Sequence, residues 1–139
     1  MTVTSKTMRL DTKGNCDIVD ITPEVAKEVS SSGMQSGTVT IFVDGSTAGV
    51  TTIEYEPGLV ADLKGMWVRL IPQNMEYEHN RAWGDENGHS HVRAALLGAS
   101  LTIPFMSKKM ALGTWQQIVL IDFDNRSRSR EIVIQILGE

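Results

Sequence analysis

The strand GTVTIFV alternates between polar and apolar side chains, so Val39, Ile41 and Val43 share one face. Further strands are predicted in TSKTMRL, DIVDI, AGVTTIEYE, SLTIPF, TWQQIVLIDFD and REIVIQIL. The last two contain IVLI and IVIQIL, which are apolar on both faces, as is typical of central strands or of an oligomer interface. The polar stretch NRSRS between these two strands predicts a hairpin connection.

Three segments have the spacing or the terminal residues of helices. The longest is residues 57–72, with one apolar stripe formed by Leu59, Leu63, Trp67, Leu70 and Ile71. TPEVAKEVSSSG predicts a short helix capped by Thr22, and SHVRAALLG predicts another that ends at Gly98. Residues 73–88 lack periodicity and are predicted to form a polar loop. The pattern predicts a single α+β domain over residues 1–139, with mainly antiparallel sheets and about three helices.

Composition and charge narrow the functional classes. A chain of 139 residues can bury one core. Its 13 basic and 17 acidic residues argue against a nucleic-acid partner, which needs a basic surface. The lone Cys16 allows no intrachain disulfide, which fits a reducing compartment. Since there is no secretory signal and no apolar run of about 20 residues, we expect a cytoplasmic protein with no membrane partner.

All three histidines, His79, His89 and His91, lie within HNRAWGDENGHSH. Neutral imidazole is a common ligand of zinc and related metals, and three such ligands plus water form an open catalytic site. The spacing matches no regular motif such as His-Glu-x-x-His. The cluster therefore predicts a divalent metal site or an acid–base site, and the alternative is a set of surface histidines that titrate near neutral pH.

Two segments around the fourth strand offer further chemistry. Glu54 could act as a general base or a metal ligand, or be an exposed charge before the long helix. The loop DGSTAGVTT offers the hydroxyls of Ser46 and Thr47 and backbone N–H groups, which could hold a phosphate. It matches no established phosphate-binding motif, and a plain turn between strands is the alternative.

The arginines near the C-terminus alternate along the chain. On an extended segment Arg126, Arg128 and Arg130 would line one side, where guanidinium groups could bind a diphosphate or a carboxylate through paired contacts. The alternative is a solvated hairpin tip whose charges protect the sheet edge. Arg93 is a further candidate for binding an anion.

These residues also carry a family resemblance. GTWQQIVLIDFDNRSRSR resembles the signature of the YjbQ-like family, also called secondary thiamine-phosphate synthases. The similarity extends through TVTIFV, GSTAGVTTIE, EPGLVADL, NGHSHVRAALLGAS and LTIP, so it covers nearly the whole chain. LGTWQ, residues 112–116, is its most specific part.

The resemblance implies a compact YjbQ-like α+β fold, a homotrimer, and a site around His79, His91, Glu54 and the Gly113–Gln116 turn, near a subunit boundary. It implies a reaction that joins a pyrimidine diphosphate to a thiazole phosphate and releases diphosphate. Cations would assist that release, so the arginines and a zinc or magnesium ion are the groups expected to stabilise the departing diphosphate.

The hypothesis assigns three groups of residues. The candidate catalytic residues are Glu54, Asp85 and Gln116, and the candidate metal ligands are His79, His89 and His91. The candidate residues for binding a small phosphorylated substrate are Ser46, Thr47, Thr51, Thr52, Arg93, Trp115, Arg126, Arg128 and Arg130. Two alternatives stay open: a metal-dependent hydrolase or lyase acting on a phosphorylated molecule, and a non-catalytic trimer that binds an anion.

One departure from the family bears on the metal. Many members that this chain resembles carry histidine at the position of Gly45, and a small or acidic residue at that of His89. This chain has the reverse arrangement, from which we infer that the third imidazole has moved between the two loops and preserves a site of three histidines.

Overall fold

The computed structural model describes residues 1–139, which form eight strands and four helices. The strands are β1 (Thr2–Thr12), β2 (Asp17–Asp20), β3 (Ser36–Asp44), β4 (Ala48–Ile53), β5 (Ser100–Met106), β6 (Lys109–Met110), β7 (Gln117–Asp122) and β8 (Arg128–Gly138). The helices are α1 (Thr22–Ser31), α2 (Pro57–Leu70), α3 (Glu78–Trp83) and α4 (Gly88–Leu97). The predicted α+β class with antiparallel sheets is confirmed.

The strands form two antiparallel sheets. The larger has the order β1-β8-β3-β5-β6, and the smaller has the order β2-β7-β4. The predicted inner face of β3 is correct, because Val39, Ile41 and Val43 are fully buried. They belong to a core cluster that also includes side chains of α1, β4 and β7.

Strand β7 is buried on both faces because it lies between two cores. Ile118 and Leu120 pack in the first core, whereas Val119 and Ile121 pack in a second core with Trp67 of α2 and other apolar side chains. The domain is therefore layered as the large sheet, the small sheet and the helices α2 and α4. IVLI and IVIQIL were expected to form central strands or an oligomer interface; both strands have a neighbour on each side, but only β7 is buried on both faces, because Leu137 of β8 is 41 % exposed.

The predicted hairpin at NRSRS is wrong. Strand β7 pairs with β2 and β4, whereas β8 pairs with β1 and β3, so the two strands lie in different sheets. Residues 123–127 cross from one sheet to the other. Polar turn residues identify a change of direction, but they do not determine which strand is the next neighbour.

The helices differ from the prediction in number and at one boundary. The expected polar loop contains α3, a helix of six residues, which is too short to show periodicity. Helix α4 begins at Gly88, so His89 lies inside the helix rather than before it. Helix α2 begins as expected at Pro57, and the carboxylate of Glu56 accepts hydrogen bonds from the first turn. None of the four helices combines the length and apolar character needed to cross a membrane.

Helix α4 lies directly on β4 because Gly49 has no side chain. A Cβ atom at this position would lie 2.6 Å from the carbonyl oxygen of Gly98 and 2.8 Å from a methyl group of Leu97. The same carbonyl accepts a hydrogen bond from the Val50 N–H at 3.0 Å. This contact sets the distance between the end of α4 and the small sheet.

We expect Gly49→Ala to destabilise the protein, because the obstructing oxygen belongs to the backbone and cannot rotate away. The cost should be about 1–3 kcal/mol in the free energy of unfolding, measured by urea denaturation. Gly65→Ala is the matched control within α2, where the new Cβ atom would meet only the flexible end of Arg69 at 3.2 Å. The control should be neutral or stabilise by about 0.5–1 kcal/mol. Equal effects of the two substitutions would contradict this account.

Candidate active site

Helices α3 and α4 bring two of the three histidines into contact. The ring centroids of His79 and His91 are 4.3 Å apart, with a tilt of 41° between the ring planes. Nδ1 of His79 lies 3.4 Å from Oδ1 of Asp85. The pair is close enough for charge attraction but is not aligned as a hydrogen bond, so this buried nitrogen has no partner. An imidazole pair with an adjacent carboxylate is suited to moving a proton.

The surroundings of His91 favour its neutral form. Burial lowers the pKa of His91, and the neighbouring His79 lowers it further, whereas Asp85 and Asp124 act in the opposite direction. The net effect holds this pKa below its usual value. His91 also lines a pocket of about 360 Å³ together with Gly45 and Ser46. Ser46 of the predicted phosphate loop therefore lies beside the histidine pair.

His89 points away from this pair. Successive side chains on a helix turn by about 100°, so residues two positions apart diverge by about 200°. His89 is only 2 % exposed, and its Nε2 lies 3.2 Å from the hydroxyl of Ser90. No group of three or more histidine, cysteine, aspartate or glutamate side chains is arranged to hold a metal ion. The structure does not form the predicted site of three imidazoles.

Three of the expected phosphate ligands, Thr47, Arg128 and Arg130, belong to an ionic network around two buried aspartates. Arg130 donates to both carboxylate oxygens of Asp122, at 2.7 and 2.8 Å, and also to the hydroxyl of Thr47. Thr47 donates in turn to Asp124 at 2.9 Å. Arg128 donates to the same carboxylate at 3.0 Å. Arg130 and Thr47 thus already have partners and are not available as primary phosphate ligands.

The carboxylate of Asp124 is stabilised by this network. Burial raises the pKa of Asp124, but hydrogen bonds from Thr47, Asn87 and Arg128, together with the charge of Arg128, outweigh it and lower the pKa overall. Asp124 also lies close enough to influence His91. Through Asp124, the network therefore connects residues 123–127, which run from one sheet to the other, to the histidine pair.

The network also explains Gly45. A Cβ atom at this position would lie 2.5 Å from Nη1 of Arg130, whose guanidinium is held by Asp122. Histidine at position 45 would require Arg130 to move. Gly45 therefore leaves the space that Arg130 occupies, and His89 lines a different pocket from the one beside Gly45. One chain does not bring the three imidazoles together, and the inference that the third imidazole moved between the loops stays a prediction.

The remaining arginines have different environments. Arg126 is exposed and precedes β8, with its N–H donating to Asp124 at 3.2 Å. Its guanidinium makes no hydrogen bond or ion pair within the chain, so it remains available to an anion. Arg93 is buried, and its Nε and Nη2 donate to the carbonyl oxygen of Ile71 at 3.0 and 2.8 Å. Arg126 lies before the start of β8, so only Arg128 and Arg130 of the expected series are on the strand, and both already contact aspartates.

A second group of candidate residues lies at the opposite end of β4. Gln116 accepts a hydrogen bond from the Gly113 N–H at 2.9 Å and donates to the hydroxyl of Thr52 at 3.2 Å. Glu54 and Trp115 line an open pocket of about 470 Å³. Thr51 lies between the two groups and is partly exposed.

The two groups are far apart in one chain. Ser46 precedes Ala48 at the start of β4, whereas Glu54 follows Ile53 at its end. At about 3.3 Å per residue, the six residues of β4 span roughly 17 Å. One subunit therefore does not bring Glu54 and Gln116 to the His79–His91 pair.

Comparison with known proteins settles the family. The profile of the family described as UPF0047 protein YjbQ-like matches residues 6–139. The chain belongs to the YjbQ-like family. A UPF0047 protein of Methanothermobacter thermautotrophicus is 34% identical over 139 residues, covering 100% of this chain and 95% of the relative. A UPF0047 protein of Archaeoglobus fulgidus is 35% identical over 130 residues, covering 94% and 98%.

Solved structures of YjbQ-like proteins share the fold. A structure from Sulfolobus solfataricus superposes with a TM-score of 0.94 at 34% identity and covers 99% of both chains. One from Aeropyrum pernix has a TM-score of 0.90 at 29% identity and covers 98% of this chain and 99% of the other. The first is described as a protein of unknown function and the second as hypothetical. The comparisons establish the YjbQ-like family and fold.

Sequence reasoning missed Asp122 and Asp124, the acceptors of the ionic network. A signal was present, since two aspartates alternate in DFD at the end of an apolar strand, just before the arginines. Carboxylates that follow a buried strand need cationic partners, because an unpaired buried charge is costly. The same pattern could identify this network in other YjbQ-like chains.

We expect Asp122→Val to lower the free energy of unfolding by about 3–5 kcal/mol, because Arg130 would remain buried without its main partner. The double variant Asp122→Val, Arg130→Met should be more stable than Asp122→Val alone, since it removes the unpaired cation. Urea denaturation of Asp122→Val, Arg130→Met and the double variant gives the coupling free energy between the two side chains. Additive losses would show that the two side chains do not stabilise each other.

Proposed function

We propose that this YjbQ-like protein is an enzyme of thiamine-phosphate synthase type, with the His79–His91 pair at its centre. The observation that carries the proposal is the contact between the two imidazoles, beside Asp85 and the pocket lined by Ser46. The reaction forms a bond between the pyrimidine methylene carbon and the thiazole nitrogen. The bond from that carbon to a diphosphate oxygen breaks, and the electron pair leaves with the diphosphate.

The residues around the pair suit a departing anion. When the imidazole pair is protonated, the lowered pKa of His91 favours release of the proton to the diphosphate oxygen as negative charge develops on it. Arg126 has a free guanidinium on the same end of the small sheet and can bind phosphate oxygens through paired hydrogen bonds. Ser46 offers its hydroxyl at the edge of the pocket. Arg128 adds positive charge, although Asp124 neutralises part of it.

A divalent metal has an incomplete ligand set in this chain. Zinc sites use three or four protein ligands, whereas His79 and His91 supply two imidazoles and no group of three is present. Magnesium prefers oxygen ligands and commonly binds through substrate phosphates. We therefore assign no resident ion, and the divalent metal enters the proposal as a component of the diphosphate substrate.

The proposal assigns Glu54, Gln116 and Trp115 to a neighbouring subunit's half of the site. These residues lie at the far end of β4, and Trp115 is 71 % exposed. A large exposed aromatic beside a carboxylate is suited to contact a ring-bearing substrate or another protein surface. A homotrimer, closed by rotation, would repeat each contact three times and could place one chain's Glu54 near the next chain's histidine pair.

We expect His91→Gln to lower kcat for thiamine phosphate formation by roughly 100-fold or more, because the variant can no longer transfer the proton. Arg126→Lys should lower kcat by about ten- to a thousand-fold, since lysine loses the paired contacts. The assay combines the pyrimidine diphosphate and the thiazole phosphate with Mg²⁺ or Zn²⁺ and quantifies thiamine phosphate at saturating substrate.

Arg69→Lys is the matched control, because Arg69 is also exposed but lies on α2. It should match the wild type. If the wild type forms no product with either metal, the synthase assignment fails. Release of inorganic phosphate or diphosphate in the same mixtures would then favour the hydrolase alternative. If His91→Gln and Arg126→Lys both have wild-type activity, the protein is an enzyme but the His79–His91 pair is not its active site.

The shared site predicts complementation between inactive subunits. We expect Glu54→Ala and His91→Gln each to be inactive alone, and a mixture refolded together to regain part of the activity. In mixed trimers some interfaces pair an intact Glu54 with an intact His91. Light scattering of the wild type should give about three times the chain mass. A monomer, or mixtures without any recovered activity, would contradict a site shared between subunits.

A further inference from the structure

A separate pocket lies across α4 from the histidine pair. It has a volume of about 320 Å³ and is lined by Lys64 of α2, by His89 and Arg93 of α4, and by the segment around Cys16. The polar side chains of Asn15 and Asn74 complete its wall. No carboxylate lines this pocket, although the chain has more acidic than basic residues. The pocket is therefore locally cationic.

Arg93 contributes a buried charge without an anionic partner. It is 5 % exposed, and its hydrogen bonds at Nε and Nη2 go to a neutral carbonyl oxygen. Nη1 makes no hydrogen bond within the chain, and no carboxylate forms an ion pair with this guanidinium. Arg130, which is buried to a similar extent, has Asp122 as its partner. Because burying an unpaired charge costs free energy, an anion bound beside Arg93 would stabilise this part of the fold.

His89 adds an unused polar atom to the same pocket. Its Nδ1 is buried and has no hydrogen-bond partner. Burial and the charge of Arg93 lower the pKa of His89 overall, although the nearby backbone carbonyl of Glu86 acts in the opposite direction. Buried polar atoms in folded proteins are nearly always paired, so an unpaired nitrogen on a side chain that lines a cavity points to a ligand in that cavity.

We propose that the pocket formed by Lys64, His89 and Arg93 binds a phosphate group, either inorganic phosphate or a small phosphomonoester. Arg93 Nη1 and the Lys64 ammonium donate to phosphate oxygens. Monohydrogen phosphate offers His89 both acceptor oxygens and an O–H donor, whereas a phosphomonoester dianion offers acceptor oxygens only. The site is distinct from the His79–His91 pair and does not depend on the proposed reaction.

Calorimetric titration of the full chain at constant ionic strength tests the site, with inorganic phosphate and glycerol 3-phosphate as probes. Saturable binding of one equivalent is expected, and the tighter ligand distinguishes free phosphate from an ester. Arg93→Lys should weaken binding by about tenfold and Lys64→Met by at least about threefold, because each loses a charge-assisted contact. Lys6→Met, on the exposed side of β1, should bind as the wild type does.

His89→Leu gives a second readout that does not rely on the arginine. Leucine removes the unpaired Nδ1 but also the contact between Nε2 and the Ser90 hydroxyl, so the Tm without phosphate should change little, while the rise in Tm caused by phosphate becomes smaller. The proposal is overturned if the wild type shows no saturable binding up to 10 mM phosphate. It is also overturned if His91→Gln abolishes binding while Lys64→Met and His89→Leu bind normally, since the phosphate would then occupy the other site.

Discussion

The buried ion pair between Asp122 and Arg130 connects the two sheets and fixes their relative position. Asp122 ends β7 in the small sheet, and Arg130 lies in β8 of the large sheet, so the pair spans the crossing that sequence reasoning took for a hairpin. Thr12 of β1 also donates to Asp122, at 2.6 Å, and Thr47 from the β3–β4 loop joins through Arg130. Because four separate segments meet there, the position of the Ser46 loop beside His91 depends on this one cluster.

The geometry of α4 then divides the chemistry between two faces. His89 and His91 are two residues apart, which is enough on a helix to send one imidazole to the cationic pocket and the other to His79. Gly49 holds the helix close to β4, and Gly45 leaves room for Arg130 on the side of His91. The spacing on α4 thus sets the two directions, while Gly49 sets how close the helix lies to β4 and Gly45 leaves space for Arg130.

The sequence was sufficient for the features that repeat along the chain. The alternation in β3 and the apolar runs in β7 and β8 predicted strands that the structure confirms, and Pro57 correctly marked the start of α2. It was insufficient where the answer depends on distant partners. The six residues of α3 have no period to detect, and the hairpin prediction failed because turn residues do not specify the sheet that a strand joins.

The same limit applies to the candidate site, and the two buried arginines show why. Arg93 and Arg130 are equally plausible anion ligands by residue type, but Arg130 already faces a carboxylate, while Arg93 faces a carbonyl oxygen and, at 6.0 Å, the ring of Phe123. The charge of Arg130 is used to join two sheets, so a ligand would have to displace Asp122 to reach it. No carboxylate competes for Arg93. An anion bound there would therefore neutralise an unpaired buried charge without breaking an existing ion pair. Whether a buried cation is structural or binds a ligand thus depends on the partner that the fold provides, and only the three-dimensional arrangement contains that information.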